Sequence, residues 1–149
     1  MKKNTLVLFL TIIAISFFLF RGSDFSSLNM FSFLSKDVRT IQKFAISFFE
    51  DLKFKDFDSA AKYHSLKDQK KVNIPKLIER LFKVKPEFLD IMEYNILETS
   101  LDSSKKRARV KMKTKVNVLN SGKIRNPEVI LYYHKKNGKW YMELESSLH

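Results

Sequence analysis

The hydrophobic pattern of this chain changes its period at Pro86, and this change constrains the fold more than any other feature. Before Pro86, apolar residues recur at steps of three and four, which is the period of an amphipathic helix. After Pro86, apolar and polar residues alternate, which is the period of a half-buried strand. Helices that precede strands, rather than alternating with them, indicate an α+β domain.

Three helices are predicted before Pro86. Ser35 can cap the first, Asp56 the second and Asn73 the third, since short polar side chains accept the free N–H groups of a first turn. The third also has Pro75 in its first turn, where proline is tolerated. The apolar stripe of the first helix is Val38, Ile41, Phe44, Ala45, Phe48, Phe49 and Leu52, and that of the third is Ile74, Leu77, Ile78, Leu81 and Phe82.

Four strands are predicted after Pro86, over residues 88–99, 107–119, 128–135 and 139–144. The dipeptide Asn137-Gly138 predicts a hairpin turn between the last two. Strict alternation in the second strand gives it one apolar face, formed by Ala108, Val110, Met112, Thr114, Val116 and Val118. We therefore expect three helices packed on one face of a curved, four-stranded antiparallel sheet.

A second feature is the apolar run from Thr5 to Phe20, which lies between two lysines and Arg21. Its sixteen residues would rise about 24 Å as a helix, somewhat less than the roughly 30 Å hydrocarbon core of a bilayer. Such a helix must extend slightly or thin the bilayer locally. The run predicts a transmembrane anchor over residues 1–21, followed by a linker over residues 22–35 and a folded domain over residues 36–149.

A signal peptide is the alternative interpretation of the run, because its length and flanks fit both. The residues directly after Phe20 are a poor cleavage site, whereas Ala14-Ile15-Ser16 has the small residues that a signal peptidase requires. The positive N-terminus predicts that it stays in the cytoplasm. We expect a single-pass protein of the bacterial inner membrane with its domain extracytoplasmic. The chain has no cysteine, so a lipid-modified cysteine, a disulfide and a thiolate metal site are excluded.

The formal charge of +12 favours anionic partners. Strand alternation places five cations on one face of the second strand, which we name the basic stripe: Arg107, Arg109, Lys111, Lys113 and Lys115. One interpretation is a surface for anionic lipid, a cell-wall polymer or an acidic partner. The other is a solvated face whose cations pair with glutamates of the neighbouring strands. Nucleic acid is disfavoured by the predicted compartment.

Two segments resemble a known superfamily. The stretch FFEDLKFKDFDSAAKY (residues 48–63) resembles the opening of nuclear transport factor 2-like, cystatin-like domains, and NGKWYM (residues 137–142) resembles the last hairpin of their small bacterial envelope members. The resemblance covers residues 36–146. It implies a cone-shaped α+β fold with a pocket between sheet and helices. The superfamily includes ketosteroid isomerase, scytalone dehydratase and many non-catalytic binding domains.

Helix and strand phase would direct five residues toward such a pocket: Tyr63, His64, Tyr94, Tyr133 and Trp140. The three histidines lack metal-ligand spacing, and three glycines are too few for a phosphate loop. No catalytic residue, metal site or cofactor is therefore predicted. The leading hypothesis is a non-enzymatic, membrane-anchored interaction or assembly module that binds another protein or a second copy of itself, for example as an accessory subunit of a membrane complex. The alternatives are a small-molecule or isomerase/dehydratase-like pocket, and binding of anionic lipid or polyanion by the basic stripe.

Overall fold

The computed structural model describes residues 35–144, and the helices of this part lie before its strands. The helices are α1 (Lys36–Lys53), α2 (Phe57–Ala61), α3 (Leu66–Gln69) and α4 (Ile74–Phe82), and a 3₁₀ turn follows at Pro86–Phe88. The strands are β1 (Leu89–Leu101), β2 (Arg107–Val118), β3 (Lys123–Arg125), β4 (Glu128–Lys136) and β5 (Lys139–Met142).

The helices begin where the sequence provides a cap. The Asp56 side chain accepts a hydrogen bond from Ser59 N, and the Asn73 side chain accepts one from Lys76 N. In α4, all five predicted stripe residues are buried. The predicted starts of α2 and α4 and the predicted apolar face of α4 are confirmed.

Strand β2 lies at the centre of an antiparallel sheet with the order β1-β2-β4-β5, and β3 pairs with the end of β2. β1 carries two bulges, because Met92 and Leu97 have no partner in the register with β2. Residues alternate between buried and exposed or half-buried along β2, as the sequence predicts, and its buried face contacts α1.

Large side chains fill the space between helices and sheet. Phe48, Phe49, Phe82, Met112 and Met142 are fully or almost fully buried there. Each such side chain contributes about 1.5–3 kcal/mol by leaving water. The volume in which a cone-shaped fold would hold a ligand is therefore occupied by the protein's own core.

The predicted fold class is wrong in several respects. The described residues contain five strands and four helices, not four strands and three helices. Sequence pattern missed β3 because it is three exposed residues long and shows no alternation, and it missed α3 because four residues cannot form an apolar stripe. Among the helices of residues 35–144, none combines the length and the hydrophobicity that a membrane span requires. The predicted transmembrane helix over residues 1–21 and residues 22–34 of the predicted linker (22–35) lie outside the described residues.

Candidate functional site

A cleft of about 590 Å³ opens between α1, the α2 region and the β4–β5 hairpin. Aromatic rings and both signs of charge line it. The lining residues are Lys36, Asp37, Thr40, Phe44, Asp51, Ser59, Lys62, Tyr63, Gly138, Lys139, Trp140 and Tyr141. Met142 N donates a hydrogen bond to Tyr63 O at 2.8 Å, which joins the segment after α2 to β5 at one side of the cleft.

Asp37 ties α1 to the sheet. Its carboxylate accepts hydrogen bonds from Lys135 Nζ at 2.8 and 2.9 Å and from Trp140 Nε1 at 3.0 Å. The Lys135 ammonium also lies 5.6 Å from the centre of the Trp140 ring. The hydrogen bonds from Lys135 and Trp140 lower the pKa of Asp37. This carboxylate therefore stays ionised, and its oxygens bond to groups of the protein itself.

Asp51 and Tyr63 form the second polar pair of the cleft. Burial raises the pKa of Asp51, and a hydrogen bond with Tyr63 partly opposes the rise. Burial likewise raises the pKa of Tyr63, and the nearby Asp51 charge adds to it. The Tyr63 ring meets Phe44 edge-on, with 5.7 Å between ring centroids. The rings of the cleft are therefore fixed in place by packing and hydrogen bonds.

The rim of the cleft is positively charged. Lys36, Lys62 and Lys139 are exposed, and none of them forms an ion pair with another residue of the described chain. Both carboxylates of the cleft have hydrogen-bond partners within the fold. An approaching partner therefore meets three exposed ammonium groups, none in a direct ion pair within residues 35–144, around aromatic walls.

The five pocket residues predicted from the sequence are not all brought together. Tyr63 and Trp140 line the cleft. His64 and Tyr133 are 0% exposed in the core, and neither His64 Nε2 nor Tyr133 Oη has a partner among the described residues. Tyr94 stacks on Phe49 at 5.5 Å and donates a hydrogen bond to Glu50.

The titration of these residues follows their burial. Burial and the hydrogen bond to Glu50 raise the pKa of Tyr94 to about 12. Burial lowers the pKa of His64, although Ala61 O, 3.3 Å from Nδ1, and the charge of Asp68 oppose the effect. The pKa of the enclosed Tyr133 is raised, also by burial. No two of these groups form a hydrogen-bonded acid–base pair within residues 35–144.

The sequence analysis does not predict that Asp37, Phe44 and Asp51 line a cleft. It assigns Phe44 to the apolar stripe of the first helix, and in the structure the half-buried ring of Phe44 lies at the edge of this stripe. The sequence does indicate that Asp37 is an acid in the first turn of a helix, where its charge is favourable. It cannot indicate its partners, which are about a hundred residues away in sequence. Only the tertiary structure shows that these side chains share a cleft.

Three of the five cations of the basic stripe form ion pairs. Arg109 pairs with Glu98 at 3.2 Å, Lys111 with Glu128 at 2.6 Å, and Lys115 with Glu93 at 3.0 Å. Arg107 and Lys113 have no ion-pair partner among residues 35–144. The partly paired face is one of the two interpretations that the sequence left open.

Comparisons with known proteins show little. No protein-family model matches the chain, and no curated protein matches it. Among solved structures, it is similar to the solution structure of a SEC-C motif containing protein from Rhodopseudomonas palustris, at 16% identity and a TM-score of 0.49. That match covers 64% of this chain and 68% of the other. Within residues 35–144 no group of His, Asp or Glu side chains is arranged to hold a metal ion.

Proposed function

We propose that this domain is a non-catalytic binding module that takes an acidic segment of a partner protein into the cleft between α1, α2 and β5. The observation that carries the proposal is the composition of this cleft. Aromatic rings form its walls, and exposed lysines form its rim. Buried aromatic anchors within a polar rim are typical of protein interfaces.

The positive charge of the rim favours an acidic partner segment. Asp37 is neutralised by its ion pair with Lys135, and of the remaining charged lining residues the three lysines Lys36, Lys62 and Lys139 outnumber the one carboxylate of Asp51, so the cleft keeps a positive balance. An acidic segment would meet complementary charge, which raises its association rate and fixes its orientation. The same rim would repel a basic segment.

The filled interior argues against the isomerase/dehydratase-like alternative. Such a pocket needs an apolar cavity with one or two convergent polar groups. Here the corresponding volume holds Phe48, Phe82, Met112 and Met142, and the cleft lies at the surface.

Several sequence predictions remain predictions. The resemblance to nuclear transport factor 2-like domains is one. The membrane attachment and the extracytoplasmic location are others, because residues 1–34 lie outside the described part of the chain. A binding module outside the cytoplasm, as an accessory subunit of a membrane complex, is consistent with the proposed role of the cleft.

Site-specific photocrosslinking in cells of the source organism tests the proposal. A photoreactive amino acid replaces Thr40 or Ser59 in the cleft, and Asn117 on the opposite sheet face serves as the control position. We expect one discrete protein adduct from both cleft positions and none from Asn117. An adduct of twice the chain mass would identify the occupant as a second copy.

Charge reversal makes the experiment specific. Lys62→Glu with Lys139→Glu should abolish the adduct, since both side chains lie on the rim. Lys70→Glu with Lys71→Glu changes the net charge equally at exposed positions outside the cleft and should leave the adduct intact. Equal adducts from the cleft and from Asn117, or equal losses in both double variants, would contradict the proposal.

A further inference from the structure

A second, smaller pocket of about 330 Å³ lies where the end of α4 and the 3₁₀ turn meet the β2–β3 hairpin. Four cations, an amide and a hydroxyl surround an apolar floor. We name this the basic pocket, and its lining residues are Lys83, Val84, Lys85, Phe88, Val118, Asn120, Ser121, Lys123 and Arg125. No carboxylate is among them.

The cations of the basic pocket are unpaired, in contrast to those of the neighbouring sheet face. Lys83, Lys85, Lys123 and Arg125 form no ion pair with any residue between 35 and 144. On the outer face of β2, by contrast, most of the basic stripe is paired with glutamates. Four like charges around one small concavity repel each other and produce a strong local field for anions.

The backbone holds these side chains around the pocket from two separate segments. Lys83 follows α4 in the left-handed conformation, with φ of 53°, and its N–H donates to Glu79 O. β3 is fixed by its register with β2, in which Lys123 faces Val118 and Arg125 faces Val116. Leu119 N donates to Phe88 O at 2.9 Å, which joins the hairpin to the 3₁₀ turn beneath the pocket.

We propose that the basic pocket binds a phosphate group. Arg125 can donate two parallel N–H bonds to phosphate oxygens, the three ammonium groups supply point charges, and the side chains of Asn120 and Ser121 can add neutral donors. The apolar floor formed by Val84, Phe88 and Val118 suits a phosphate that carries an apolar or ring-containing substituent. The phosphate can come from a soluble phosphoester or from a lipid headgroup. This site is independent of the cleft and of its proposed protein partner.

The test uses the full chain and two sources of phosphate. Titration calorimetry with inorganic pyrophosphate measures binding of a soluble anion. Co-flotation with vesicles of phosphatidylcholine, alone or mixed with phosphatidylglycerol, measures headgroup binding, and the neutral vesicles subtract any apolar attachment. Lys85→Glu with Arg125→Glu alters the pocket, whereas Lys67→Glu with Lys71→Glu makes the same charge change at exposed positions elsewhere.

We expect the pocket variant to weaken one of the two interactions by at least about tenfold, and the control variant to weaken it by less than about twofold. Loss of pyrophosphate binding identifies a soluble ligand, and loss of the preference for anionic vesicles identifies a lipid headgroup. Equal weakening by both double variants would show that only the net charge matters, and this would overturn the proposal. Absence of binding to either source would overturn it as well. Unchanged circular dichroism of the variants verifies that they fold.

Discussion

Two buried aromatic residues on adjacent strands differ in whether their polar atom forms a hydrogen bond. Trp140 on β5 is 4% exposed, and its indole N–H donates to the Asp37 carboxylate at 3.0 Å. Tyr133 on β4 is fully buried, and its hydroxyl has no partner among the described residues. A buried donor without an acceptor costs about 1–3 kcal/mol, whereas a hydrogen bond to a charged group contributes a similar amount.

The substitutions Tyr133→Phe and Trp140→Phe should therefore have opposite effects. Removing the Tyr133 hydroxyl should leave the free energy of unfolding unchanged or raise it by up to about 1 kcal/mol. Replacing Trp140 removes a bond to Asp37 and leaves a cavity, so that free energy should fall by about 2 kcal/mol or more. Urea unfolding of both variants measures this; a loss above about 1 kcal/mol for Tyr133→Phe would show that its hydroxyl is bonded after all.

His64 should make stability depend on pH. Burial lowers its pKa in the folded chain below the ordinary value of 6.5, while Asp68 partly opposes the shift. The unfolded chain then takes up a proton more readily, so acid favours unfolding. The contribution of His64 is fully present above pH 6.5 and is lost as the pH falls below it, by about 1.4 kcal/mol for each pKa unit of the shift.

Unfolding by urea at several values between pH 8 and pH 5.5 measures this dependence. In the His64→Gln variant, which cannot titrate at this position, the free energy of unfolding should vary much less over the same range. Identical pH profiles for the parent chain and His64→Gln would disprove this role for His64.

At the scale of elements, the turn between α1 and α2 depends on a lysine in a conformation that favours glycine. Lys55 has φ of 58°, and its N–H donates to Leu52 O while Asp56 N donates to Asp51 O at 2.8 Å. These two bonds form a Schellman motif, which satisfies the last carbonyl groups of α1. Asp56 then caps α2, so one short segment ends the first helix and starts the second.

Lys55→Gly should raise the free energy of unfolding by about 1 kcal/mol, because glycine adopts positive φ without a side-chain penalty. Lys53→Gly, two residues earlier in the last turn of α1, should lower it by about 1 kcal/mol, because glycine destabilises a helix interior. Thermal unfolding of the two variants provides the measurement. If both substitutions destabilise the chain, the lysine at position 55 is not strained.

Elements with long periodic patterns could be predicted from the sequence, and short ones could not. The stripes of α1 and α4 and the alternation of β2 depend on local spacing, so their buried faces were predictable. β3, in contrast, pairs with the last three residues of β2, beyond the part of β2 that pairs with β4, so it depends on the register of the assembled sheet. The bulges at Met92 and Leu97 are likewise a property of the register, which no single strand reveals.

The candidate site was less predictable than the fold for the same reason. Strand phase predicts that Tyr133 and Trp140 face a pocket, but it cannot show that Tyr133 is enclosed in the core and that Trp140 lines a cleft. Asp37 joins α1 to β4 and β5 only after all three have assembled. The basic pocket also depends on a tertiary contact. Lys83 precedes β1 in the sequence and Arg125 follows β2, so only the folded chain brings the two together.

For the molecule as a whole, the excess of positive charge should affect the stability of the folded state more than the individual ion pairs do. The chain carries a formal charge of +12, and such self-repulsion destabilises a compact state. The ion pairs of the basic stripe are all partly solvent-exposed, and exposed pairs contribute only about 0–1 kcal/mol each. Screening by salt should therefore remove more repulsion than attraction.

Raising sodium chloride from 20 to 300 mM should consequently increase the melting temperature of the full chain. Lys71→Glu with Lys76→Glu removes four units from the net charge of +12 at exposed positions, so the increase with salt should be smaller in this variant. Lys111→Gln, which removes one stripe ion pair with Glu128, should retain most of the increase because that pair contributes little. Differential scanning calorimetry at matched protein concentration measures the melting temperature of all three chains.

A melting temperature that falls with salt would contradict this prediction. It would mean that the ion pairs of the sheet outweigh the net repulsion, and the partly paired face would then be a main source of stability.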